Sequence, residues 1–373
     1  MKKEERYRLW LNFAVKADYN AQTKLLNLFG TAEDVFQNAK ETEIKKLLGE
    51  KSAKKIEDCA NEAYIDNCLR YLEKNKIKTA VVGFENYPFL LSNIDDPPYV
   101  LYYRGTLKSN IEFPLAVIGS RRCNEYTKKV AEDFSKRLCE NGACIVSGMA
   151  YGIDAVAAKG ALSTKSDYPT IAVLAGGVDH IYPMENEHLY YEIIERGAVV
   201  AEWLPATHPE RWHFPFRNRI MSGMSKGVLV AGAGEKSGTS TTVGRALEQG
   251  RDVFVVPGRI DDYHCKGSNA MIRDGYAKPV FDIDDILSEY GMHIRTEKKP
   301  IREVQEKDFE FEELLIIKLL QSNERSIDEL AIMTKYDVLK LNSVLTDLEF
   351  SGIIKQLPGR LYQISNDIEF SDF

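Results

Sequence analysis

The sequence predicts an α/β protein built on a doubly wound parallel sheet, with an all-α segment before it and a winged helix after it. Three observations carry this: six apolar runs alternating with helical stretches between Pro114 and Tyr290, a first segment whose apolar residues fall at helical spacing, and a last segment that runs helix, helix, helix, hairpin. At 373 residues the chain exceeds one ordinary core, so two or three domains are expected.

Residues 1–75 form the helical domain. Leu25, Leu26, Leu28 and Phe29 recur at helical spacing, and Thr31 with Asp34 reads as a cap. A linker follows in which Tyr87-Pro88 and Asp95-Asp96-Pro97-Pro98 deny both helix and central strand, with short extended pieces flanking it. Within a domain spanning 76–290, the runs at Leu115–Ile118, Cys144–Val146, Ile171–Leu174, Ala198–Val200, Gly227–Val230 and Val253–Val256 read as buried strands. Glycine-bounded runs with helices between them call for parallel strands whose right-handed crossovers cover both faces. Residues 291–307, charged and containing Lys298-Lys299-Pro300, suit a tether. Helical patterns at Phe311–Gln321, Ser326–Met333 and Asp337–Phe350 lead into Gly352-Ile353-Ile354, a Pro358-Gly359 turn and Leu361–Ile364, which spells a winged helix over 308–366.

Composition narrows the function. No apolar run approaches the roughly 20 residues that cross a bilayer, and the start Met1-Lys2-Lys3-Glu4-Glu5-Arg6 leads into no signal-peptide core, so a soluble cytoplasmic protein without membrane contact is expected. The six cysteines form no CxxC pair and read as reduced hydrophobes. A net charge of -7 argues against coating nucleic acid by bulk attraction, so such binding must be local. The segment Trp203–Val230 supplies a locality: Arg211, Arg217, Arg219 and Lys226 stand there against Glu210 alone. The sequence shows no HExxH, no nucleophile elbow of the GxSxG type and no histidine cluster at metal spacing, and nothing pairs Glu202 with Asp179 as acid and base. No enzyme and no cofactor are expected.

In an open parallel sheet, ligands bind beyond the carboxyl ends of the strands, where helix-start amides are free to hold anions. The first strand ends in Gly119-Ser120-Arg121-Arg122, a close backbone approach with guanidinium groups able to fork onto phosphate, although a surface arginine pair fits equally well. The second ends in Ser147-Gly148 and runs on to Gly152-Ile153-Asp154, with Asp154 a candidate helix cap. The third ends in Gly176-Gly177 ahead of His180, which reads as structural. The fifth ends in a glycine and hydroxyl cluster, Gly232 to Thr242, in which Lys236, Ser237, Gly238 and Thr239 could form a phosphate nest. It is not a Walker A loop, since Glu235 stands where glycine must precede the lysine, and as a GxGxxG variant it fails because Asp252 precedes its strand. Finally, Phe214-Pro215-Phe216-Arg217-Asn218-Arg219 sets cations beside Trp212, His213, Phe214 and Phe216. Unpaired nucleic acid needs this pairing, although most of these rings are expected to be buried.

Taken in order, Gly119-Ser120-Arg121, Ser147-Gly148 to Asp154, Gly176 to Pro183, Phe214 to Arg219, Ser237-Gly238-Thr239, Val256-Pro257-Gly258 and Gly267-Ser268-Asn269 to Gly275 closely resemble the DNA-processing protein A (DprA/Smf) family from about residue 80 to 285. The flanks are similar to that family's N-terminal helical (SAM-like) domain and optional winged helix. The resemblance implies an extended Rossmann-like domain that binds single-stranded DNA without sequence preference, forms a homodimer, helps load the RecA recombinase during natural transformation, and turns over no substrate. Carried over by position, it implies that Arg121 contacts phosphate while Gly119 and Ser120 shape its loop. Arg217, Asn218 and Arg219 then line a basic groove closed by Ser237, Gly238 and Thr239, with Ser147, Gly148, Lys236 and Asn269 completing the set.

Departures occur at Tyr151, where the family often has arginine, and at Ala158, Ala201 and Ala231, where it often has histidine, serine and glutamate. A lost cation at 151 removes one phosphate contact. Ala17-Asp18-Tyr19-Asn20 replaces a glycine-rich hairpin, so no DNA contact is expected in the first domain. The third winged-helix helix sets Lys340 against Asp337, Asp347 and Glu349, favouring a protein-contact or structural role over duplex reading. Two rival readings remain: a Rossmann-like nucleotide sensor or nucleotide-riboside hydrolase using Gly238-Thr239 with Glu248, and a transcription factor built on the winged helix.

Overall fold

A computed structural model describes residues 2–293, 302–357, 360–365 and 368–371 of the chain. Its centre is a nine-stranded sheet of β1 (Lys78–Val81), β2 (Val100–Gly105), β3 (Pro114–Gly119), β4 (Cys144–Ser147), β5 (Thr170–Leu174), β6 (Ala198–Ala201), β7 (Gly227–Gly232), β8 (Asp252–Val255) and β9 (Lys278–Pro279), in the order β1-β2-β6-β5-β4-β3-β7-β8-β9. The six expected strands are its heart, and all run parallel. The extended pieces beside the proline linker become β1 and β2, of which β2 lies antiparallel against β6, and β9 closes the other edge.

The apolar runs are continuous because helices cover both faces. Successive side chains point to opposite faces, so Ala116 and Ile118 pack with Val228 and Val230 on one side, while Leu115 and Val117 pack with Ile145 and Leu229 on the other. From β3 the chain winds outward through β4, β5 and β6, then returns through helix His213–Gly223 to β7 on the opposite flank of β3. The β3 and β7 exits therefore diverge at neighbouring strand ends, which opens a crevice at the carboxyl rim.

The first six helices have their own core around Trp10, Leu25, Ile44 and Ile56, with Trp10 Nε1 donating to Cys59 O at 2.8 Å. Thr31 caps helix Ala32–Gln37 by accepting from Asp34 N. Helix Lys3–Ala14 also turns Leu9 toward Val100 and Tyr102, and the Tyr102 hydroxyl donates to Asn12 Oδ1 at 2.7 Å. The helical domain expected over 1–75 thus keeps its own core and packs within one compact unit, Met1–Ile294, with the sheet.

The second unit, Arg295–Phe373, contains helices Phe311–Ser322, Ile327–Thr334 and Val338–Phe350 and a three-stranded antiparallel sheet of Arg325–Ser326, Leu361–Ile364 and Ile354–Leu357. Ile316, Leu330, Leu341, Leu345 and Leu348 fill its core, giving the expected winged helix. Strand Arg302–Gln305 pairs in parallel with Ile368–Ser371, so part of the expected tether 291–307 is ordered as sheet, while Lys298-Lys299-Pro300 and the Pro358-Gly359 turn lie outside the described residues. All six cysteines are free, and no described helix is long and apolar enough to cross a membrane.

Candidate nucleic-acid interface

The crevice between the β3 and β7 exits is a groove of about 840 Å³. Five cations line it, Arg121, Arg122, Arg211, Arg217 and Lys236, against a single carboxylate, Asp154. Among the described residues none of Arg121, Arg122, Arg211 and Lys236 forms an ion pair, and all four are exposed. A strongly positive track therefore crosses a chain whose net charge is negative.

Its shape depends on backbone approaches that only glycine allows. At Gly119 a Cβ would lie 2.5 Å from Ile153 Cγ1, and at Gly152, with φ +78°, it would lie 2.5 Å from Ser120 O. These contacts press the β3 and β4 exits together. Ser120 then ties the β3 exit to the β7 exit: Gly234 N donates to its Oγ at 3.1 Å, and its Oγ donates to Ser237 Oγ at 3.1 Å. Ser237 in turn accepts from Thr239 N, which orients the start of helix Thr239–Glu248 at the groove wall.

Arg217 forms the floor. It is 4% exposed, its Nη1 donates to Val173 O at 2.6 Å, and its guanidinium lies so close over Gly148 that a Cβ there would be 1.8 Å from Nη1. Burial pushes its pKa down to about 10, with Asp154 opposing and Arg121 adding to the fall, so it stays charged at neutral pH. Burial likewise raises the Asp154 carboxyl, against the pull of Arg217 and of the Gly148 N–H that donates to it at 3.1 Å. Burial penalises the charge on both groups, so their mutual attraction is weak evidence of net stabilisation. Arg121 rests over the Phe214 ring at 4.5 Å, with Arg217 at 5.9 Å from the same ring.

Of the residues expected to hold DNA, Gly119, Ser120, Arg121, Arg217, Asn218, Lys236, Ser237, Gly238 and Thr239 line the groove. Four expected residues do not line it. Arg219 is 2% exposed and ion-paired to Glu202 at 2.5 Å, with Asp96 at 3.5 Å, so its guanidinium is engaged inside the protein. Asn269 spends its amide on Gly258, donating to O at 2.9 Å and accepting from N at 3.0 Å. Ser147 is wholly buried at the end of β4, and the Gly148 N–H is taken by Asp154, whose carboxylate fastens this loop instead of capping a helix. Lys226, also counted in the basic segment, lies 6.0 Å from the Tyr290 ring and not in the groove.

Other sequence readings also change. Trp212 and Phe216 are half exposed, not buried, whereas His213 is buried and stacked on Trp203 at 4.1 Å. His180 sits 3.9 Å from His208, and burial followed by that neighbour lowers its pKa. Tyr151 donates to Glu185 at 2.5 Å. Glu248 ends helix Thr239–Glu248, roughly 13 Å from Thr239 along the axis, and pairs with Arg245 on the surface. A Gly-x-Ser-x-Gly string does occur at Gly223–Gly227, but it enters β7 instead of leaving a strand, and buried Ser225 donates to Met221 O at 2.8 Å. Tyr182, quoted within the Gly176 to Pro183 motif but given no role there, and Tyr263, which no sequence reading singled out, also line the groove; the signal for each is an aromatic ring in a loop beyond a strand's carboxyl end.

Residues 78–291 match the family model described as DNA recombination-mediator protein A, and residues 308–360 match the DprA winged helix domain. The chain is 42% identical over 215 residues to the DNA processing protein DprA of Bacillus subtilis, covering 57% of this chain and 71% of the relative. It is 34% identical over 302 residues to Protein Smf of Escherichia coli, covering 79% of each. Among solved structures it is similar to DNA processing protein A of Streptococcus pneumoniae, with a TM-score of 0.63 at 34% identity over 78% of this chain and 98% of that one. It is also similar to the Helicobacter pylori protein, described for its single-stranded DNA binding mode, with a TM-score of 0.52 at 30% identity over 58% of this chain and 95% of that one.

Proposed function

The chain belongs to the DNA recombination-mediator protein A family, and from that premise we propose that the groove holds the backbone of single-stranded DNA without reading its sequence. The observation that carries the reading is the set of exposed, unpaired cations, Arg121, Arg122, Arg211 and Lys236, above the buried charge of Arg217. Fixed guanidinium and ammonium groups recognise phosphate, which every sequence shares. The Helicobacter pylori relative's single-stranded DNA binding mode supports it.

Binding without turnover is part of the proposal. The riboside-hydrolase alternative needs Glu248 beside Gly238-Thr239, and these stand at opposite ends of one helix. We further propose, from family membership, a cytoplasmic homodimer that protects incoming strands and passes them to the RecA recombinase during natural transformation. The winged helix takes a protein-contact or structural role: its third helix exposes Asp347 and Glu349, and its Lys340 is held by Glu312 at 2.8 Å.

A gel shift titrated with salt, comparing single-stranded with duplex DNA, tests the groove. Wild type should prefer the single strand, with affinity falling steeply as salt rises. Arg121→Ala should weaken binding and flatten the salt slope by about 0.7 for one lost phosphate contact. Salt-independent binding, or a nucleotide retained through purification, would contradict the reading.

A further inference from the structure

We propose that Tyr263 and Tyr182 are stacking platforms that make the groove select strands with unpaired nucleobases, an inference that rests on the groove holding a nucleic-acid strand. The two rings line the groove from different loops, Tyr182 beyond the end of β5 and Tyr263 beyond the end of β8. They are 42% and 60% exposed, a large apolar area to leave open beside a phosphate track. Among the described residues neither hydroxyl has a hydrogen-bond partner, whereas the nearby Tyr151 hydroxyl is tied to Glu185. Packing inside the protein therefore does not account for them.

Both rings are held in place from behind. Tyr263 lies on the backbone at Gly234, where a Cβ would meet its ring at 3.4 Å, and its edge is set by His264 at 6.0 Å. Tyr182 meets Phe214 edge-on at 6.1 Å, and Phe214 is the ring that carries Arg121. The acidic neighbours of Tyr263 are engaged, Asp261 by Arg259 and Asp262 by His264, so its loop does not confront a phosphate chain with free carboxylates. Arg121, Arg122 and Lys236 fix the sugar-phosphate chain, and bases that are free of a partner strand can turn onto the ring faces. A duplex keeps its bases stacked inside and cannot use these faces. The rings thus supply strand selectivity, which the cations alone do not give.

The test compares a thymidylate oligomer with an abasic strand of equal length by fluorescence anisotropy at fixed salt, using wild type, Tyr263→Ala, Tyr263→Phe and Tyr182→Ala. Wild type should bind the thymidylate strand more tightly than the abasic one. Each alanine variant should lose about tenfold for thymidylate and nothing for the abasic strand, while Tyr263→Phe keeps the preference. Equal binding of both strands by wild type overturns the proposal, as does an equal loss for both strands in the alanine variants. So does a Tyr263→Ala change in sedimentation that leaves base preference intact, which would place the ring at a subunit contact. If wild type binds neither strand, the nucleic-acid reading of the groove itself fails, a separate result.

Discussion

Adding one methyl group at Gly148 should displace the buried floor of the groove. In Gly148→Ala the new Cβ would start 1.8 Å from Arg217 Nη1 and 2.4 Å from Cζ, so the guanidinium must retreat until the contact exceeds 3.0 Å. The retreat breaks the 2.6 Å bond to Val173 O. A buried charge-assisted hydrogen bond contributes about 1.5–3 kcal/mol and overpacking costs about 1–3, so the variant should lose roughly 2.5–6 kcal/mol. That is a large share of a total stability of about 5–15 kcal/mol. Urea denaturation measures it as a lower midpoint at unchanged slope. The decisive comparison is a double-mutant cycle, since with Arg217→Ala in the background the methyl group meets no guanidinium and should cost less than about 1 kcal/mol. A cost for Gly148→Ala that is the same in both backgrounds, or no cost in either, would refute the steric coupling.

Two further outcomes follow from the same contacts. Asn269→Ala removes two hydrogen bonds to the Gly258 backbone and should destabilise by about 1–3 kcal/mol. Single-stranded DNA affinity of the folded variant should stay at the wild-type value, and an affinity loss with unchanged stability would restore Asn269 as a direct contact. His180, whose pKa is lowered by burial and by His208, charges less readily folded than unfolded. Its contribution is thus complete above its ordinary value of 6.5 and is lost as pH falls through the lower folded value. Thermal melts of wild type from pH 7.5 to 5 should therefore decline more than those of His180→Asn, and parallel declines would show that the pair is not responsible.

The sequence by itself determined the layered core and the place of the ligand rim. Continuous apolar runs such as Leu115–Ile118 and Gly227–Val230 can be buried only by helices on both faces, and a glycine-rich turn after a parallel strand must lie at its carboxyl end. That puts Gly119 to Arg121 and Lys236 to Thr239 on the same carboxyl rim, and the pairing of β3 with β7 makes them neighbours. Which arginine faces the strand was decided by tertiary structure. Arg217 and Arg219 are two residues apart on one helix, and at about 100° per residue they point to nearly opposite sides. The partners that fix their fates, Asp154 and Val173 for one, Glu202 and Asp96 for the other, are distant in the chain. No role for Tyr182 or Tyr263 could be read for the same reason, because a ring in a loop acquires one only when the fold carries it to the edge of a charged groove.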